Sequence, residues 1–379
     1  SVNDQTVSVS TTDNDTAGFT IVESGGSTSV TEAGTTDTFT IVLDAQPAEN
    51  VVFTITSSDT GEAAVSASVE FTTANWNTAQ TVTVTGVDDN IIDGTTTSTL
   101  TISVVDDVSD TDFDGVNDQT VSATTTDNDV AGFTITQTDG ATSVAETGTT
   151  DTFTIVLDAQ PASDVVLTVT SSDTGEATVN SPLTFTAGNW DTPQTVTVTG
   201  VDDNLVDGAI TSTITVAVDD ANSDNDFDPV ENQTVSATTT DDDVAGFTIV
   251  ESGGSTSVAE TGTTDTFTIV LTAQPTTDVF ISMTSSDTSE ATVTNSISFT
   301  PANWNSAQTV TVTGVDDNII DGTITSTITV EIVDLVSDSN FHSVDNQTVS
   351  ATTTDDDVAG FTIVESGGST SVAETGTTD

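Results

Sequence analysis

The chain has 379 residues, with 61 Asp and Glu, no Lys or Arg and one His, for a formal net charge of -61. With no Lys or Arg to neutralise phosphates, nucleic acid is excluded as a partner and an anionic membrane surface would repel the chain. Cys is absent, so disulfides and thiol chemistry are excluded too, and soluble cations are the natural partners.

Low hydrophobicity with high net charge is the composition of a disordered segment. Against that stand 15 Phe, three Trp and a repeat without slippage. Phe19, Phe133, Phe247 and Phe361 each follow Gly in the phrase GFTI, 114 residues apart. Trp76, Trp190 and Trp304 keep the same interval, as does GVDDN at Gly86, Gly200 and Gly314. A fixed long period predicts an array of similar domains whose function belongs to the array.

In chain order, 1–15 reads as the C-terminal strand of a preceding repeat. Residues 16–129, 130–243 and 244–357 are three β-sandwich repeats, and 358–379 are the N-terminal strands of a following one. Both ends fall in mid-repeat, which predicts an excerpt of a longer array. Within 16–129, AGFTIV (17–22) reads as strand A, continued by STSVTE (27–32) after Gly25-Gly26. TDTFTIVLD (36–44) is strand B, NVVFTITS (50–57) strand C and AAVSASVEF (63–71) strand D. TTANWN (72–77) reads as a short helical turn. QTVTVTGV (80–87), TSTLTISVV (97–105) and QTVSATTTD (119–127) are strands E, F and G. Seven strands of period two with short turns and no helical period predict an all-β fold: a tandem array of Ig-like, seven-stranded antiparallel β-sandwiches. Alternate Thr suits a solvated sheet face, and the intervening Val, Ile and Phe fill the core.

If consecutive strands run antiparallel, the A–B, C–D and E–F loops share one pole with the exit of strand G. That pole collects Glu32, Asp59, Asp88, Asp89, Asp93, Asp127 and Asp129 in the first repeat. It collects Glu146, Asp173, Asp202, Asp203, Asp207, Asp241, Asp242 and Asp243 in the second, and Glu260, Asp287, Asp316, Asp317, Asp321, Asp355, Asp356 and Asp357 in the third. So many carboxylates cannot converge while ionised and unpaired. They either point into water, as a solubilising surface, or hold a cation. Ca²⁺, which takes six to eight oxygens, fits this donor set; Mg²⁺ prefers fewer protein ligands, and Zn²⁺ would recruit Cys or His.

Other features admit blander readings. The F–G loop carries Asp106, Asp107, Asp110, Asp112 and Asp114; the second copy's loop has Asp219, Asp220, Asp224, Asp226 and Asp228, and the third has Asp334 and Asp338. It faces the preceding repeat and could bind further cations or be a plain charged loop. The Trp residues fit core packing better than glycan binding. His342, in place of Asp114 and Asp228, reads as neutral variation, and the sequons at Asn14, Asn232 and Asn346 are weak signals. Catalysis finds no support: Cys, Lys, Arg and Tyr are absent, and any carboxylate pair recurs in interchangeable copies.

The phrases SV[TA]E near the start of each repeat, DD after a hydrophobic strand and a closing D[ND]D resemble the Calx-β domain, and FTxxNWxxxQTVTVTGVDDN resembles its bacterial array version. The resemblance covers all three repeats and both partial ones. It implies calcium at the pole of strand G's exit, on the residues named above. Two departures are a lone Asp-Gly at Asp93, Asp207 and Asp321 where the family often has glutamates, and Asn128 where later copies have Asp242 and Asp356. The composition and the array predict a segment of a secreted bacterial protein, extracellular or at the cell surface, and not an enzyme. Its expected role is structural: a Ca²⁺-stiffened extender, filament or biofilm-matrix fibre, with neighbouring repeats as partners and lateral self-association into fibres. The alternative is an adhesive module gripping a glycan or another cell. Residues 244–265 and 358–379 are identical over 22 positions, which favours the spacer.

Overall fold

A computed structural model describes residues 3–365, 367 and 368. It is all-β, with three successive sandwiches and no α-helix among the described residues. The first contains β1 (Phe19–Glu23), β2 (Thr28–Thr31), β3 (Thr36–Leu43), β4 (Val51–Ser57), β5 (Ala63–Val65), β6 (Ser68–Phe71), β7 (Gln80–Gly86), β8 (Thr95–Val104) and β9 (Gln119–Thr126). One sheet has the order β1-β3-β7-β5 and the other β2-β9-β8-β4-β6. The other two sandwiches repeat both orders.

The period-two pattern becomes a period-two burial. Phe39, Ile41 and Leu43 of β3 face inward, as do Val51, Phe53 and Ile55 of β4 and Leu100 and Ile102 of β8. Each sandwich has its own apolar core. The outer faces carry Thr opposite Thr, as in Thr36–Thr85, Thr38–Thr83 and Thr40–Thr81. Such cross-strand pairs contribute about 0.2–1 kcal/mol each and add no charge. The segment 72–76 closes a turn in which the Trp76 N–H donates to the Thr72 carbonyl at 3.1 Å and Thr72 N–H to Asn75 Oδ1 at 2.5 Å. Trp76 packs partly buried against the core, and its carbonyl accepts the Leu43 N–H at 3.2 Å.

Two details differ from the seven-strand reading. Strands A and D each divide between the sheets, as β1 and β2 and as β5 and β6. The break in A falls where Gly25 and Gly26 take φ of 68° and 85°, left-handed conformations that favour glycine. And β2 runs parallel to β9, so the sandwich is not wholly antiparallel. Residues 3–15, the described part of the segment 1–15 expected as a last strand, make no strand pairing among the described residues. The equivalent β9 is held between β2 and β8, and this segment has neither neighbour. Residues 358–365 likewise form no strand, and most of the segment expected to continue them lies outside the described residues.

Register decides what meets at the pole. Thr31 pairs with Thr126 in parallel, so Glu32 and Asp127 leave their strands side by side. Thr95 pairs with Thr126, which sets Asp93 and Gly94 beside Asp127. Ala63 pairs with Gly86, which brings Glu62 to the same end. Gly86 itself lies so close to the A–B turn that a Cβ there would stand 2.0 Å from the Thr31 carbonyl oxygen; at Gly200 the Ala145 oxygen would be equally near. Gly200→Ala is therefore expected to destabilise the second sandwich by about 1–3 kcal/mol, the usual cost of overpacking. Denaturant unfolding followed by Trp190 fluorescence, with Trp76 and Trp304 replaced by Phe, checks this; an unchanged midpoint would show that the two segments separate freely.

Candidate metal centre

Four chain segments bring carboxylates to the pole of each sandwich. Glu32, at the end of β2, is 1% exposed. Its N–H donates to the Thr126 carbonyl at 3.1 Å, and its Oε2 accepts the Asn128 N–H at 3.1 Å. Glu62, just before β5, is also buried; its carbonyl accepts the Val87 N–H at 2.9 Å and its Oε2 the Thr96 hydroxyl at 2.6 Å. Asp127 Oδ2 accepts the N–H groups of Asp93 at 3.1 Å and Gly94 at 2.9 Å, while its Oδ1 accepts that of Asp129 at 2.6 Å. The loops are thus fastened to one another by their carboxylates before any ligand is considered.

The acids form two subclusters that share one glutamate. Oxygens of Glu32, Asp127 and Asp129 lie within 4.8 Å of one another, and so do those of Glu32, Glu62 and Asp93. The second repeat brings together Glu146, Glu176 and Asp207 and also Glu146, Asp203 and Asp243; the third gathers Glu260, Glu290 and Asp321. Several of these oxygens are buried without a hydrogen-bond partner: Glu32 Oε1 and Asp129 Oδ2; Glu146 Oε2, Glu176 Oε2, Asp207 Oδ1 and Asp243 Oδ2; Glu260 Oε1, Glu290 Oε2 and Asp357 Oδ2. Buried carboxylate oxygens without a donor are costly, and of these nine the Glu32 and Asp129 positions recur in all three poles, the Glu176 position in two and Asp207 in one.

The electrostatics follow. Burial pushes Glu32 and Glu146 up to about 7, with neighbouring carboxylates adding to the rise and a backbone N–H opposing it. Asp93 rises to about 6, through burial and then the charge of Glu62. Burial first and adjacent acids second also raise Glu176, Asp207, Asp243, Glu260, Glu290, Asp129 and Asp357.

The sequence-predicted residues divide. Glu32, Asp93, Asp127 and Asp129 converge, as do their counterparts in the second and third copies, and Asp89 is half-buried, its Oδ1 accepting the Ile91 N–H at 2.7 Å. Asp88, Asp202 and Asp316 are exposed. Asp242 and Asp356 also point outward; it is the Asp356 N–H that reaches Glu260, at 3.4 Å. Asn128 offers the same N–H in the first copy, so its departure from Asp leaves the buried cluster unaltered. Asp59, Asp173 and Asp287 sit in the C–D turn and cap it, accepting the N–H of Gly61, Gly175 and Ser289 at 2.9–3.0 Å. The C–D acids that do enter the clusters are Glu62, Glu176 and Glu290. Their signal is an acid held next to the buried Ala63, Ala177 or Ala291 that opens a strand, a place where an ionised side chain needs a reason.

Of the F–G loop acids, Asp110, Asp224 and Asp338 are structural, each accepting backbone N–H groups. Asp110 is buried, accepts the N–H groups of Ala48, Glu49 and Asp112, and is held below its ordinary range by these bonds.

No family model matches the sequence, and no curated protein matches it. Solved structures of similar fold include CBD12 from CALX1.2 (12% identity, 52% of this chain and 79% of that one, TM-score 0.23). They also include the I67–I69 fragment of the titin I-band (9%, 90% and 97%, TM-score 0.28) and domains 4–9 of the surface layer protein SbsC (17%, 88% and 49%, TM-score 0.25). At these identities and TM-scores the likeness carries no functional information.

The raised carboxyls fix a pH dependence. Glu32 and Glu146 bind more protons in the folded than in the unfolded chain between about pH 4.5 and 7. Without divalent cations, the stability they contribute is full below that window and is lost as pH rises through about 7. The depressed acids, such as Asp110, act only below their ordinary 3.8 and do not mask this. Metal-free melts should therefore show a higher midpoint at pH 5 than at pH 8, and millimolar Ca²⁺ should reverse the order. A flat metal-free profile would mean that the pole carboxylates are solvated.

Proposed function

We propose that this chain is a structural, calcium-binding repeat segment of a secreted bacterial surface protein, one that serves as an extender, filament or matrix fibre. The observation that carries the reading is the set of buried carboxylate oxygens without donors, recurring at one pole of every sandwich. An all-oxygen, all-anionic donor set suits a hard cation, and its size and loop origin suit Ca²⁺. In the first repeat Glu32, Asp127 and Asp129 would hold one cation, and Glu32, Glu62 and Asp93 another. A bound cation supplies the positive charge that the chain lacks. The protein's part is to present ionised oxygens already tied to three loops and to the exit of β9, so that a ligand there fastens the start of the next repeat to the pole of the last. This supports stiffening of the array rather than catalysis. The secreted setting rests on composition: a chain of charge -61 with no Lys or Arg suits surroundings rich in divalent cations, as outside cells.

Two variants separate the site from its surroundings. Glu176→Gln should weaken calcium binding in the second repeat by about tenfold or more, equivalent to about 1.4 kcal/mol, and leave the other repeats intact. Asp173→Asn should change binding little, because Asp173 caps a turn. Calorimetric titration of the whole chain tests both. No heat of binding in the wild-type chain, with an unchanged melting midpoint in millimolar Ca²⁺, would leave a solubilising acidic surface as the reading.

A further inference from the structure

Each E–F loop carries an apolar pair amid its acids: Asn90-Ile91-Ile92, Asn204-Leu205-Val206 and Asn318-Ile319-Ile320. A cation-binding loop has no need of it. In the first two copies the pair turns away from its own sandwich. Ile91 forms an isolated parallel bridge with Gln160 of the second repeat, the Gln160 N–H donates to the Asn90 carbonyl at 2.7 Å, and Ile92 packs on the second core. The next joint is built alike. Leu205 bridges Gln274, whose N–H donates to the Asn204 carbonyl at 2.6 Å, and Val206 packs on the third core. The Val206 N–H returns a bond to the Gln274 carbonyl at 3.3 Å, and Asn340 of the third repeat's F–G loop donates to the Val206 carbonyl.

The receiving corner is the same tripeptide each time: Ala45-Gln46-Pro47, Ala159-Gln160-Pro161 and Ala273-Gln274-Pro275. Ala159 and Ala273 are 0% and 1% exposed, but Ala45, which meets no such loop among the described residues, is only half-buried. At that first corner an open cleft of about 750 Å³ is lined by Ala45, Gln46, Pro47 and Phe113 together with acids that include Asp44 and Asp110. The third pair has no corner to enter among the described residues, and Ile319 and Ile320 are 60% and 57% exposed, against 36% for Ile91.

We propose that the apolar pair of the E–F loop is a docking plug and that the Ala-Gln-Pro corner of another repeat of this kind is its socket. The joint fixes successive repeats relative to one another through apolar contact and backbone hydrogen bonds, and does not depend on a cation. It goes beyond the calcium reading and survives that reading's failure.

The three glutamines supply an internal experiment. Their amides share the same local sequence, so their intrinsic exchange rates match, and they differ in whether a plug covers them. Residue-resolved hydrogen exchange of the whole chain, with calcium and in chelator, should find Gln160 and Gln274 protected by about tenfold or more relative to Gln46 in both solutions. Leu205→Asp with Val206→Asp should bring Gln274 to the rate of Gln46 and leave Gln160 protected. Equal rates at all three glutamines in the wild-type chain would overturn the proposal, as would a Gln274 still protected in the variant. Protection seen only with calcium would assign the joint to the cation and overturn it too. The wild-type comparison stands even if the variant folds poorly.

Discussion

Each sandwich gathers like charges at one pole in a chain with no internal counterion. Two unit charges about 4 Å apart repel by about 4 kcal/mol at an effective dielectric of 20, and a domain's net stability is only about 5–15 kcal/mol. The pole holds Glu32, Glu62, Asp93, Asp127 and Asp129 in two subclusters whose oxygens lie within 4.8 Å of one another. Full ionisation there, unrelieved, would cost a large part of that stability. The pole must bind protons or cations, and its raised carboxyls show the first response built in.

The rest of the fold limits that cost. Solubility without charge is carried by the Thr-faced sheets, so acids need not be spread over the strands. Asp110 and Asp37 spend their charges on backbone N–H groups and sit below their ordinary range. The parallel pairing of β2 with β9 is the decisive geometric choice, because it sends Glu32 and Asp127 out of the sheet in the same direction. The E–F loop then has two functions: Asp89 and Asp93 face the pole, while Ile91 and Ile92, between them, reach the next sandwich.

Much of this was legible in the sequence because period-two burial and a fixed repeat are local signals. Phe39, Ile41 and Leu43 announce β3, and the strand order alone brings Glu32, Asp93, Asp127 and Asp129 to one end. What was not legible depends on pairing. Nothing in residues 17–32 says that strand A changes sheets and then runs parallel to strand G; two adjacent glycines mark only that the chain can turn there. The choice between Asp59 and Glu62 depends on whether a side chain points back into its own turn or inward beside Ala63, and both readings satisfy the same loop position. The plug was hidden for a similar reason: Ile91-Ile92 follows an acidic motif and reads as the lead-in to a strand, when its partner is 69 residues away at Gln160.

The three copies themselves test which charges matter. Away from the pole, Asp37, Asp106 and Asp110 are kept in every copy but several other acids drift to neutral residues: Asp44 becomes Thr272, Glu49 becomes Ser163 and Thr277, Glu70 becomes Thr184 and Ser298, Asp107 becomes Ala221 and Leu335. A chain that needed negative charge only for solubility would tolerate the same drift everywhere. Yet Glu32, Glu62, Asp89, Asp93, Asp127 and Asp129 are acidic in every copy, although at Glu32, Asp93 and Asp129 burial and neighbouring carboxylates disfavour the ionised form. Retaining these acids in three copies while other charges are lost around them fits the proposed cation site. The plug shows the same logic in apolar form: Ile-Ile, Leu-Val and Ile-Ile keep their bulk and hydrophobicity in an otherwise acidic loop, where only a neighbouring repeat gives them anything to bury against.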